Sequence, residues 1–154
     1  MGRILNFADK IVIVKGRASG PEDALSNSLA CPASGSFVDV SGYEWVQILV
    51  ELGAVAEDFV ITPKCSDSAS GTADDIDATN FAHTIANASD DDQFVLFTLE
   101  TAALPVDHHF LTVVFSSISG TDYGTVIYFL GGARHEPVTQ TDSLPAAHRY
   151  FYGG

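Results

Sequence analysis

With 154 residues, 46% hydrophobic and 18% charged, the chain is long enough for one domain with a real core, and its composition is the reverse of a disordered segment's. Its net charge of −13, from 20 acidic against 7 basic side chains, argues against nucleic acid and anionic membrane surfaces as partners, because cations drive binding to phosphate. The longest apolar runs, such as Ile11 to Val14 and Phe94 to Phe97, fall far short of a bilayer span.

Taken in chain order, short β-type runs alternate with turn clusters. Lys10 to Lys15 is the first. Pro21 to Ala30 then predicts a short helix, with Pro21 in its first turn, Glu22 and Asp23 near its N-terminus and Leu25 and Leu29 a turn apart. Ser36 to Val40 is a second run. Glu44 to Leu52 is the clearest, with Val46, Ile48, Val50 and Leu52 alternating on one face. Its sole tryptophan, Trp45, is expected to anchor the core. Asp58 to Lys64, Asn80 to Ala86, Gln93 to Thr101, Phe110 to Ile118 and Thr125 to Leu130 follow, which makes about eight strands. Without crossover helices this is an all-β chain, an antiparallel β-sandwich or jelly-roll-like domain with extended N- and C-terminal arms. Residues 1–35 are read as an arm with the first strand and helix, 36–132 as the body, and 133–154 as the second arm. Phe94 to Leu99 and Leu111 to Phe115 are apolar on both faces, which points to cover by another layer, an arm or a second subunit. No charged-then-apolar leader opens the chain, so it is expected to stay in a cytoplasm unless an assembly carries it out.

Charge is unevenly spread. Arg3, Lys10, Lys15 and Arg17 lie near the start and Arg134 and Arg149 near the end, while Cys65 to Ala133 contains no Lys or Arg. The ends therefore suit acidic neighbours, other copies of the body included. Tyr150, Phe151 and Tyr152 follow Arg149 in a polar tail with no core of its own. Aromatics bury much area at small entropic cost, so these four residues, with Arg3 and Arg134, are the candidate interaction residues.

Chemistry-bearing patterns are sparse. Asp90-Asp91-Asp92 and Asp74, Asp75, Asp77 lack the spacing of a calcium loop and read as solvated turns. His108 and His109 are adjacent in extended chain and point apart. His83, His135 and His148 have no evident partner. Cys31 and Cys65 lack zinc-site spacing and read as free thiols, a bridge between them needing an oxidising setting. No nucleophile elbow or phosphate-binding loop occurs, and Asn87-Ala88-Ser89 matches a glycosylation acceptor by chance. No enzyme, cofactor or metal is expected.

Ser41 to Gln47, Leu52 to Val55, Asp67 to Gly71, Asp90 to Gln93, the Phe110 to Phe115 strand and Gly132 to Thr139 together resemble a family of small structural proteins of tailed bacteriophages, the head-decoration or cement proteins. The resemblance covers roughly residues 37–139 and rests on turn and strand patterns. It implies a β body that binds the capsid exterior and reinforces the shell across subunit boundaries. It also implies the major capsid protein as partner, a homo-oligomer with a trimer favoured, and host cytoplasm before assembly. The Arg134 to Thr139 segment would lead into the C-terminal arm. A tail or fibre-associated part and a carbohydrate-binding sandwich using Trp45 or the tail aromatics are the alternatives.

Overall fold

The structure, a computed structural model, describes residues 10–17, 23–77, 81–87 and 89–133. Ten strands are present among them: β1 (Val12–Lys15), β2 (Ala30–Cys31), β3 (Val38–Asp39), β4 (Trp45–Leu52), β5 (Phe59–Ser66), β6 (Asp74–Asp75), β7 (His83–Ile85), β8 (Phe94–Glu100), β9 (Phe110–Ser116) and β10 (Gly124–Gly131). A single 3-10 turn, Thr101–Ala103, leaves β8. All pairings are antiparallel. Sheet one runs β1-β10-β4-β8. Sheet two runs β2-β9-β5-β6, with β3 also on β9 and β7 also on β5.

The strand order defines a jelly roll. β2 and β3 meet consecutive stretches of β9, at Val114 to Val113 and then Leu111 to Phe110, so they are one interrupted strand. β6 and β7 likewise share one flank of β5. Counted this way, the sheets read 1-8-3-6 and 2-7-4-5. The first strand pairs the last and the second the penultimate, while the third and sixth share sheet one and the fourth and fifth sheet two. That is one long hairpin rolled into two layers.

The core lies between the sheets. Alternation on β4 puts Val46, Ile48 and Val50 inside at 0% exposure, where they face sheet-two residues such as Ile61, Val113 and Phe115. Phe59 and Phe115 meet at a ring separation of 6.2 Å. Every expected strand is present, within a few residues of its expected limits. The expected helix is not formed over the described residues 23–30. Ala24 bridges Tyr123, Leu25 is buried, and Ala30–Cys31 joins β9. Ser26, Asn27 and Ser28 are poor helix formers, and the backbone here bonds across to β9, with Ser28 N donating to Phe115 O. The Asn27 side chain accepts the Ser117 amide, and Ser28 sits at φ 64° in a turn.

Arg17, one of the cations near the start that suit acidic neighbours, is instead buried. Its guanidinium donates to the carbonyls of Gly124 and Ala24 at 2.9 and 2.8 Å, which ties the end of β1 to the start of β10. Trp45 is not a core anchor either. It occupies the outer-face phase of β4, half-buried, because Val46 and its alternates already fill the inner face. Its indole lies over Gly131, where any Cβ would collide with the ring.

Candidate interaction surface

Register assigns the outer face of sheet one. Trp45, Gln47, Leu49 and Glu51 of β4 face outward, opposite Glu100, Thr98, Leu96 and Phe94 of β8. Thr125, Ile127 and Phe129 of β10 continue the face, and Ile13 and Lys15 of β1 complete it. Seven of these thirteen residues are apolar. Ile13, Ile127, Phe129, Leu49 and Trp45 are half-buried, whereas Phe94 and Leu96 are 66% and 47% exposed. Exposed apolar surface thus concentrates on β8. Contiguous apolar surface of this kind marks an interaction site more often than scattered single residues do.

The backbone of β8 adds to this. Leu52 N donates to Gln93 O, and Thr101 N to Glu44 O. Antiparallel alternation then directs Val95, Phe97 and Leu99 main-chain groups into β4, and those of Phe94, Leu96, Thr98 and Glu100 out of the sheet. The same four residues therefore present outward side chains and outward N–H and C=O groups. The sequence signal for this was the two-faced apolarity of Phe94 to Leu99. What periodicity alone could not show was that β8 would be an edge.

Beside the far end of β8 lies an open groove of about 820 Å³, lined by Tyr43, Glu44, Trp45, Glu100 and His109 among others. Thr101 Oγ1 donates to the Tyr43 carbonyl at 2.5 Å and shapes its floor. Burial, then Asp39, raises the Tyr43 hydroxyl above its ordinary pKa.

The acidic loops have structural partners. Asp91 Oδ1 accepts the Val55 amide at 2.6 Å and Asp122 Oδ1 the Ala56 amide at 2.6 Å. Asp90 accepts the Ala86 amide at 2.9 Å, which holds its carboxyl below the usual range. Asp75 pairs with Lys64 at 2.7 Å. His108 contacts the Val106 carbonyl at 2.9 Å and Asp74 at 3.4 Å, and both raise its pKa, the carbonyl more. His109 instead lines the groove, so the pair does point apart. Among the described residues no group of three His, Cys, Asp or Glu could hold a metal ion, and no helix is long and apolar enough to cross a membrane. Cys31 and Cys65 are buried free thiols. Burial pushes the Cys31 thiol up to about 11 against the opposing influence of Arg17.

Arg3, Arg134, Arg149, Tyr150, Phe151 and Tyr152 lie outside the described residues, as do His135 and His148. Among the described residues, the motifs behind the phage resemblance are turns and pieces of strand: Ser41 leads into β4, Asp67 to Gly71 follows β5, Asp90 to Gln93 precedes β8, and Phe110 to Phe115 is part of β9. Ser41 N donates to Asp39 Oδ1. Gly71 is where a Cβ would stand 2.5 Å from the Asp67 and Ser66 oxygens, and Gly132 at φ 65° turns the chain out of β10 against Glu44.

No protein-family model matches the chain, and no curated protein sequence is significantly similar to it. Among solved structures it is similar to the coat protein of Tobacco streak virus, with a TM-score of 0.40 and 11% identity over 94% of this chain and 100% of that one. It is also similar to a chain of Mud Crab Dicistrovirus, with a TM-score of 0.38 and 13% identity over 100% of this chain and 90% of that one. At such scores the jelly-roll assignment stands on the strand order alone.

Proposed function

We propose that this protein is a virion structural part, a tailed-phage decoration protein that binds the outer capsid surface and reinforces the shell across subunit boundaries. The observation that carries the reading is β8: the sandwich keeps Phe94 and Leu96 of this edge strand exposed on its rim. A surface of that kind is a liability for a free monomer and an asset on a lattice. The acidic body keeps the unassembled protein soluble. The segment 134–154, with Arg149 and the Tyr150-Phe151-Tyr152 aromatics, supplies a second contact with the major capsid protein or a neighbouring copy. Co-sedimentation with capsids tests this. Full-length protein is expected to pellet with shells, and a chain ending at Ala133 to bind more weakly. Equal binding by both forms removes the arm from the account.

One observation favours a second reading. Trp45 stands outside the core at a groove shared with Tyr43, Glu44, Glu100 and His109, an aromatic platform beside carboxylates that suits a sugar. A glycan array with no binding, and tryptophan fluorescence unmoved by oligosaccharides, would retire it.

A further inference from the structure

Natural sheets guard their edges with short strands, charge, proline or cover. Three of the four edges follow that rule. β1 has 4 residues and ends in Lys15, β2 and β3 have 2 each, and the β6–β7 edge is short and carries Asp74 and Asp75. β8 does not. It is 7 residues long, Phe-Val-Leu-Phe-Thr-Leu-Glu, with no proline and no cation, and no described strand pairs its outer edge.

We infer that β8 is a homotypic pairing strand, which joins a second copy of this chain antiparallel across a two-fold axis at Phe97. In that register Phe94 and Glu100 of one copy oppose Glu100 and Phe94 of the other, and Leu96 opposes Thr98. These are the residues whose N–H and C=O groups point out of the sheet, so every outward group from Phe94 to Glu100 gains a partner. The outer row then sets Leu96 against the Thr98 methyl and lays Phe94 along the Glu100 methylenes.

Charge selects the occupant. β8 carries one charged residue, Glu100, at its end. A cationic strand would find a single carboxylate to pair with. In the two-fold register the two Glu100 carboxylates stand six residues apart along the strands, about 20 Å, beyond the ~8 Å screening length of physiological salt. Two net-acidic bodies can therefore meet along this edge without opposing like charges on it. The arrangement also gives the apolar rim of sheet one a reason to be exposed in the single chain. Edge pairing buries less than a standard interface, which places the association in roughly the micromolar range.

Sedimentation of the full chain over about 1–500 µM tests this. The expected result is a monomer–dimer equilibrium, weakened at least tenfold by Leu96→Lys and unchanged by Val106→Lys, whose site is 85% exposed but off the strand. Hydrogen exchange on the unmodified protein gives a readout that no folding defect can mimic. The amides of Phe94, Leu96, Thr98 and Glu100 gain protection as concentration rises, while those of Val95, Phe97 and Leu99 are protected throughout. A single-copy species across the whole range overturns the inference. So does an oligomer indifferent to Leu96→Lys, or protection of the outward amides that survives dilution, which would mean that another segment of the same chain covers β8. Capsid binding by single copies would leave the proposed function standing and remove only this pairing.

Discussion

The Tyr128 hydroxyl donates to the Cys31 carbonyl at 2.6 Å, a bond that runs from the centre of sheet one to the edge of sheet two. Tyr128 is fully buried, and burial drives its pKa well up, so the phenol stays protonated and available as a donor. The bond holds β2 where it can pair with β9, next to Thr112, whose hydroxyl donates to the Pro32 carbonyl at 2.8 Å. Tyr128→Phe keeps the ring and leaves a buried acceptor without this donor. The expected cost is about 1–3 kcal/mol, read as a lower midpoint in chemical denaturation with an unchanged slope. A neutral substitution would mean that this bond does not clamp the two sheets.

Arg17 makes a comparable tie at the other flank. Its guanidinium holds two carbonyls of segments far apart in sequence, and a neutral side chain of similar length cannot replace those charge-assisted bonds. Arg17→Met should destabilise the domain by about 2–4 kcal/mol in equilibrium unfolding. A change below about 0.5 kcal/mol, the range of ordinary surface substitutions, would show that the contact is incidental.

Much of the fold was legible in the residues, and the failures have physical causes. Val46, Ile48 and Val50 alternate with outward residues, and that period alone located the strand and its buried face. β2 and β6 escaped notice because two-residue strands have no period to read; they exist by pairing with β9 and β5. The helix expected over Pro21 to Ala30 rested on a few weak signals, which the bridge to Tyr123 outweighed over the described part. Residue type alone points Trp45 to the core, whereas its phase on β4 puts it on the face opposite Val46. The two-faced apolarity of Phe94 to Leu99 belongs to a strand whose Phe94 and Leu96 are exposed, and which strand would become an edge depends on the rolled topology. The candidate residues at the chain ends fall outside the described region.

Asp91 joins the turn before β8 to the loop after β4 through its bond to the Val55 amide. Asp91→Ala should cost about 1 kcal/mol, as loss of a side-chain cap does, and speed exchange of the Val55 amide. Added calcium should leave the melting temperature of the parent protein unchanged, since Asp90 and Asp91 of this turn already accept backbone amides. A calcium-dependent rise would reverse the reading of the turn.

His108 sets a pH dependence. Its folded pKa is raised, so its contribution is fully present below the unfolded value near 6.5 and is lost as pH climbs through the folded value. The melting temperature of the parent should therefore exceed that of His108→Gln at pH 5.5, and the gap should narrow towards pH 8. A gap that widens with pH would show that the neutral imidazole is the favoured form.

Cryo-electron microscopy of the source particle tests the placement on a capsid most directly. Density for the rolled sandwich is expected on the outer shell, seated across boundaries between major capsid subunits. Density confined to the tail or fibres, or none on the particle at all, would contradict it.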